Sequence, residues 1–574
     1  MIESSEMKSP AQTSAALSRR IDAALGKITC DLVLKNVHYL DVFSAKWRTG
    51  DIAVIDGVIV GTDPGYSGSR EIDAHGKFLV PGFIDAHVHL ESSLMMPGEF
   101  ERAVLARGTT AAICDPHELA NVMGVPGIRA FLTASEEMHL DLRVMLSSCV
   151  PATHLETNGG GTLGLADLAP LRAHPKALGL AEMMNFPGLL ASDPAVLEKV
   201  AAFSDGVMDG HAPMLRGNAL SAYAACGISS CHESSELEEA SEKLRKGVAV
   251  WIREGSVAKD LDALIPLLTL ETSTSLGFCT DDRNPLDILE EGHIDHLIRQ
   301  SIRHGVTPEI AFRAASWSVA RHYGLDRGPG RTGALSPGYR ADFVLLDDIH
   351  SVAIRQVFRA GRPSDEIEYA ADGAFGEKRN TIRAAEMVAE DLAAPEGNVH
   401  VIEVEPGKIL TGRSVKASNA RGVAKLAVKE RYGKNLAPAT AYVSGFGENF
   451  TGAIGSSVGH DSHNLIAVGA KTSDMAVAMN ALRKSGGGFC VVKDGAVLAE
   501  LALPMGGLMT NASAREIREK LVRLKEASRE IGCELAEPFL QLAFLSLPVI
   551  PSLKLTDRGL VDVERFEIIG VRAS

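Results

Sequence analysis

The chain has 574 residues, 45% hydrophobic and 23% charged, with a formal net charge of −15. At ~150 residues per domain that length predicts two to four domains with a sizeable core, and the composition excludes a largely disordered chain. The acidic balance argues against a nucleic-acid partner, and no run approaches the ~20 apolar residues that span a bilayer.

Residues 1–28 are polar and rich in Ala and Ser, which predicts a tail or a short capping helix. With acidic residues and no apolar h-region there is no sign of a signal peptide, so a cytoplasmic location is expected. The eight cysteines form no C-x-x-C pair, and several sit in apolar strand-like runs such as AAICDP; they read as reduced, buried thiols. Residues 29–80 alternate in the manner of strands separated by turns, for example DLVLKNVHYLDV and DIAVIDGVIVGTDPG.

From 78 to 282 eight short apolar runs recur: FLVPGFIDAHVHL, GTTAAICDP, LRVMLSSCVP, ALGLAEMM, GVMDGHAP, GISSCHESS, VAVWIREGS and STSLGFCTDD. Helix-compatible segments lie between most of them, at the spacing of βα units. This predicts an α/β fold, a TIM-like (β/α)8 barrel over 81–329, with an open doubly wound sheet as the alternative. Two helices follow, the second starting with Thr307 as N-cap and Pro308 at the first helical position. Strand character returns at GALSPGYRADFVLLDD, so 29–80 and 330–379 are expected to build one small β-sandwich. Residues 380–574, with Gly-rich turns and a helix around SAREIREKLVRLKEASREIG, form a further C-terminal α+β domain.

The chemistry starts at His87-Val88-His89. Residues i and i+2 of a strand share a side, so two imidazoles converge at the strand's C-terminal end, where barrel enzymes place their sites. Alone, such a pair is more often structural. Run four, however, ends in Glu182, run five in His211, run six in His232-Glu233 and run eight in Asp281-Asp282. Buried His, Glu and Asp need partners or a metal. The pattern points to two divalent metal ions sharing a bridge: His87, His89 and Asp281 on one, His211 and His232 on the other, Glu182 between them. The mixed nitrogen and oxygen set suits Zn2+, Mn2+, Fe2+ or Co2+ without choosing. A metal lowers the pKa of its water towards ~7, and Asp281 is placed to take that water's proton. Glu233 is either a substrate-directed acid or a carboxylate holding a ligand histidine.

Other polar residues divide between function and packing. Asp115-Pro116-His117-Glu118 reads as a turn into a helix with Asp115 as N-cap, or as a loop that brings His117 to the substrate. Glu91-Ser92-Ser93 lines the mouth or forms a solvated loop. His293, His296, His304 and His322 lie on helical segments and read as surface or helix-packing residues. Arg253-Glu254 reads as an ion pair at the rim. His460-Asp461-Ser462-His463, in a Gly-rich run, would bind a third metal, cover the barrel mouth or shape a turn. The turn is favoured, because no partner ligands stand at metal-like spacing.

The segments VPGFIDAHVHLESS, EFERAVLARGTTAAICDPHELANVMG, LAEMMNFPG, CHESS and CTDDRNPLD resemble the bacterial adenine deaminase family of the amidohydrolase superfamily. So do GFGENFTGAIGSSVGHDSHNLIAVG and GGGFCVVKDGAVLAELALPMGGLM, and the resemblance runs from about residue 30 to near the C-terminus. It implies hydrolytic deamination of adenine to hypoxanthine and ammonia by a metal-activated hydroxide, with adenine and water as partners. It further implies a binuclear Mn2+ or Fe2+ centre that Zn2+ can occupy, with Glu182 where many relatives carry a carboxylated lysine, and a homo-oligomer such as a dimer. In that reading Asp281 moves the water proton to the leaving amine and Glu233 supports ring N1. Another amidohydrolase acting on a cyclic amide or N-acyl group, and a non-catalytic scaffold, are the competing readings.

Overall fold

The computed structural model describes residues 10–369, 373–375, 380–434 and 436–573. Eight parallel strands follow one another at the centre: β1 (Phe83–Val88), β2 (Thr109–Cys114), β3 (Asp141–Leu146), β4 (Ala177–Met183), β5 (Val207–Gly210), β6 (Ser230–Cys231), β7 (Ala249–Arg253) and β8 (Leu276–Cys279). Strands β1 to β5 pair in sequence order as one sheet, and β6 to β8 as a second. Ser229 N–H donates to Met208 O at 3.0 Å across the gap between the sheets. At the other junction Val88 bridges Asp281 in parallel. Every residue of β1, β2, β7 and β8 is buried, which explains why these strands read as short continuous apolar runs rather than as alternating ones.

The flanking segments meet in a single sheet. Strand Phe343–Asp348 pairs antiparallel with Phe78–Pro81, in the register Phe343↔Pro81, so residues before and after the parallel strands join one eight-stranded sheet. Both flanks expected in the sandwich thus contribute strands to the same sheet among the described residues. The first apolar run also divides: Phe78–Pro81 belongs to this outer sheet, and β1 begins after the corner at Gly82. A Cβ at Gly82 would stand 2.2 Å from Thr110 Oγ1, so only glycine turns the chain there. Helix Pro10–Ala24 lies on this sheet through Arg19, which pairs with Asp31 and Asp56; residues 1–9 of the expected tail lie outside the described residues.

The C-terminal segment holds a second eight-stranded sheet with helices Thr472–Ser485 and Ala514–Glu530, then a three-stranded sheet formed by residues 553–569. Helix Ala514–Glu530 starts at a reciprocal cap: Ser513 Oγ accepts from Glu516 N, and Glu516 Oε2 accepts from Ser513 N. The segment packs directly on the central strands. One apolar cluster includes Leu119 and Val122 from the first unit with Met505 and Leu508 from the last. Thr510 N–H donates to Leu94 O at 2.9 Å, and Thr157 N–H to Asp557 Oδ1 at 2.9 Å. No helix among the described residues is long and apolar enough to cross a membrane.

Candidate active site

The six residues expected as ligands come from five strand ends and meet in one place. His87 lies in β1 and His89 just past it; Glu182 is in β4, and His211 and His232 directly follow β5 and β6. Asp281 follows β8 and is held against β1 by two backbone bonds, Asp281 N–H to His87 O at 3.0 Å and His89 N–H to Asp281 O at 3.2 Å. Its φ of 54° lies in the left-handed region, a conformation that non-glycine residues adopt at a cost and that concentrates at functional sites.

The donor atoms face inwards. His87 Nε2 and His89 Nε2 are 3.2 Å apart, and Asp281 Oδ1 lies 3.6 and 3.1 Å from them. Glu182 divides its two oxygens: Oε1 is 3.7 Å from His87 Nε2 and 3.3 Å from His89 Nε2, while Oε2 is 2.7 Å from His211 Nδ1 and 3.3 Å from His232 Nε2. All six residues are buried. Ligand atoms about 3–3.5 Å apart suit ions bound at ~2.1 Å, and a carboxylate with one oxygen towards each histidine pair suits a bridge. Burial and the neighbouring His232 push His87 well below the usual histidine range. Burial opposes charge on His89 too, but Asp281 and Glu182 outweigh it and hold that ring well above. Burial likewise opposes ionisation of Glu182 and Asp281, yet the surrounding histidines keep both carboxyls well below their ordinary values. Anionic carboxylates among crowded imidazoles fit a cation at the centre.

Arg253 organises the opposite wall. Its guanidinium pairs with both oxygens of Glu233 and reaches Asp281 Oδ2 at 3.1 Å and Asp260 Oδ2 at 3.0 Å. Burial opposes ionisation of Glu233, but Arg253 and then His211 draw its carboxyl below the ordinary value, so this residue stands as a carboxylate rather than a free acid. The expected rim pair of Arg253 with Glu254 is corrected accordingly: Arg253 turns into the site, and Glu254 Oε2 accepts from Leu261 N–H.

The second strand end also differs from expectation. The helix starts at His117 with Pro116 as its N-cap residue, one position later than read, and Asp115 Oδ1 accepts from His117 N–H at 3.1 Å. Both nitrogens of His117 face carboxylates: Nδ1 is 3.1 Å from Asp115 Oδ2 and 3.2 Å from Glu182 Oε1, and Nε2 is 3.4 Å from Glu118 Oε1. Glu91 is buried and accepts from Leu119 N–H at 3.0 Å, and Ser92 bonds Asp282, so this turn is not a solvated loop. His460-Asp461-Ser462-His463 is buried and does more than shape a turn. His460 and His463 both contact Glu118, and His460 and Asp461 line the same small cavity as the ligand histidines. His293 and His296 are buried at a helix start, His293 between Asp85 and Thr109, while His304 is exposed.

That cavity measures ≈ 30 Å³, room for about one water. A larger one of ≈ 1410 Å³ adjoins it and shares the wall of Glu233, Arg253 and Ile409. Sequence reasoning missed Arg253, Glu118 and the contribution of His460 and Asp461. Arg253 occupies a strand end like the ligands, which was a usable signal; two partners of Glu118, His460 and His463, stand in the C-terminal segment.

Residues 78–364 match the amidohydrolase family, and residues 403–567 match the adenine deaminase C-terminal domain. The chain is 51% identical over 568 residues to an adenine deaminase of Cereibacter sphaeroides, covering 96% of this chain and 99% of that one. The chain belongs to the adenine deaminase family of amidohydrolases. Family members in Methylobacterium nodulans and Brucella suis are 51% and 49% identical, each over 97% of this chain and over 100% and 97% of their own lengths.

Proposed function

We propose that this chain is an adenine deaminase: water and adenine give hypoxanthine and ammonia. The observation that carries this reading is the likeness at 51% identity to a relative of that name across 96% of the chain. The convergence of His87, His89, Glu182, His211, His232 and Asp281 supports it. Two divalent metals, Mn2+ or Fe2+ with Zn2+ as a substitute, would be held by His87, His89 and Asp281 and by His211 and His232, with Glu182 between the two sets. When bound, such a pair supplies hydroxide at neutral pH and stabilises charge developing on the attacked carbon's substituents.

The protein's own groups do the rest. Asp281 accepts the proton of the attacking water and delivers it to the departing amine at C6, because its carboxylate faces both the histidine pair and Arg253. Of the attacking water's two protons, one is the one Asp281 carries to the amine and the other ends on N1, whose N–H then donates a hydrogen bond to Glu233, kept ionised by Arg253; the alternative of a free acid fits this ion pair poorly. His117 has its nitrogens committed, so it is the imidazole face that we assign to substrate. Burial around the centre excludes bulk water.

The two parallel sheets form, in this reading, one closed (β/α)8 barrel over 81–329, with 29–80 and 330–379 as its β-sandwich flank and 380–574 as the C-terminal domain. The enzyme works in the cytoplasm, as a homodimer, on a small-molecule substrate alone. Asp281→Asn tests the chemistry: ammonia release from adenine falls at least ~10³-fold, as for removal of a proton-transfer group that also holds a metal. A variant that keeps near-normal turnover contradicts this role.

A further inference from the structure

Two kinds of side chain surround the small cavity at the centre, and they come from different parts of the chain. The strand ends and the turns after them supply histidines, carboxylates and Arg253, with Met184 and Ala258 as their only apolar members among the described residues. The other four of the six apolar side chains there, Ile409, Phe544, Leu547 and Ile550, come from the C-terminal segment. A purine carries its nitrogens and its amine on the ring edge, and its two faces are apolar. A site for it therefore combines a few polar groups with apolar walls. The groups proposed above for the reaction meet the edge, which leaves the faces to the C-terminal segment.

Size narrows the choice. The inner cavity of ≈ 30 Å³ has room for about one water, and a purine is several times larger. With C6 at the centre, most of the ring lies in the passage to the outer cavity of ≈ 1410 Å³. Of the four C-terminal side chains, Ile409 and Ile550 line both cavities, as Glu233 and Arg253 do; Phe544 and Leu547 line the inner one alone. Phe544 also has one ring face covered by His460, with 4.6 Å between centroids and 9° between planes. Ile409 sits on the hairpin loop between strands Asn398–Val404 and Thr411–Ala417, and buried side chains tie down three consecutive residues of that loop. Gly407 N–H donates to Gln541 Oε1 at 3.0 Å, Gln541 Nε2 donates to Lys408 O at 2.7 Å, and Lys554 Nζ donates to Ile409 O at 2.9 Å. A loop held this closely presents its side chain at one place, as loops that carry binding residues do.

We propose that Ile409 and Ile550 form an apolar slot that grips the face of the purine ring in this passage, so that the C-terminal domain selects the ring while the strand ends act on its C6 edge. The inference deepens the adenine deaminase reading and rests on it. The slot takes a flat, uncharged heteroaromatic ring, because a charged or strongly hydrated group there loses its water without gaining a partner. The contact is the same in substrate and product. Its loss therefore weakens the binding of both and leaves the chemical step alone.

The test is steady-state kinetics of adenine deamination by the full-length protein loaded with Mn2+, with hypoxanthine as competing product. Ile409→Ala is expected to raise KM for adenine and Ki for hypoxanthine together, by about tenfold or more, and to leave kcat within about twofold. Ile409→Val, which keeps the branched shape, gives a smaller rise in the same direction. Leu410, the next residue, lines the outer cavity alone and is 41% exposed; Leu410→Ala keeps the wild-type KM. An Ile409→Ala protein with unchanged KM and Ki overturns the slot, and so does one whose kcat falls while KM holds. Equal rises in KM for Ile409→Ala and Leu410→Ala overturn it as well, because the position of the loop rather than the side chain then decides. If metal-loaded wild-type protein releases no ammonia from adenine, the adenine deaminase reading falls, and calorimetry with hypoxanthine decides the slot separately. Binding to wild type that weakens about tenfold in Ile409→Ala sustains it, and no binding to either overturns it too.

Discussion

Arg253 shows how single residues decide the chemistry here. Its charge holds Glu233 ionised against burial, and removing one partner of a buried pair leaves the other uncompensated. Arg253→Met is expected to cost about 3–5 kcal/mol of stability. It also moves the acid limb of the rate–pH profile upwards: without the guanidinium the Glu233 carboxyl rises, so its ionised form is lost at a higher pH as pH falls. Arg253→Lys keeps the charge and shifts the limb less; identical profiles for all three proteins would contradict the role given to Arg253. Asp209 gives a second prediction at this scale. Burial pushes its carboxyl up to about 7, and it faces Ser230 Oγ at 2.6 Å and the Tyr323 hydroxyl at 2.9 Å. The unfolded carboxyl loses its proton near ~4, the folded one near 7. Between these values the native state binds more protons, so this group makes stability fall as pH rises and adds nothing further above 7. Asp209→Asn should remove that slope, and urea titrations at pH 5 and pH 8 measure it. The ligand residues themselves were legible in the sequence because H-x-H and the later His and carboxylates each close an apolar run. The roles of Arg253 and Glu118 were not, because charge pairing depends on which side chain lies opposite.

At the scale of elements, the strands were legible and their junctions were not. Buried strands such as β2 and β7 announce themselves as short apolar runs, but nothing in FLVPGFIDAHVHL marks the corner at Gly82 where one run serves two sheets. β6 is only two residues long within the nine-residue run GISSCHESS that marked it. Helix Ala514–Glu530 was readable in SAREIREKLVRLKEASREIG, and its cap came with the structure; Ser513→Ala is expected to cost ~1 kcal/mol by the loss of the capping bond, measured by chemical unfolding. Lys554, on the strand Leu553–Thr556, is fully buried and donates to Ile409 O at 2.9 Å and Phe544 O at 3.0 Å. Ile409 and Phe544 both line the inner cavity. Lys554→Met removes the ammonium donor from Ile409 O and leaves Phe544 O with Leu547 N–H alone, at about 1–3 kcal/mol in all, and is expected to raise KM more than it lowers kcat. An unchanged unfolding midpoint would contradict a structural role for these two bonds.

At the scale of the molecule, the C-terminal domain is part of the site rather than an appendage. His463 reaches Glu118 across 345 positions of sequence, and the apolar cluster beneath runs through both units without a break. Such pairings depend on how one domain docks on another, which no local pattern encodes; this is why a turn was the favoured reading of 460–463. Because the ligands come from strand ends spread over residues 87–281 and the cations bind only the folded arrangement, metal removal is expected to lower the melting temperature of the whole chain. A chelator titration followed by calorimetry checks this, and an unchanged Tm after complete stripping would contradict it. The most direct test of the account is ammonia release from adenine by metal-stripped protein before and after Mn2+ is added back. The account predicts no release before and full turnover after; metal-loaded, folded protein that binds Mn2+ and releases no ammonia from adenine would contradict it.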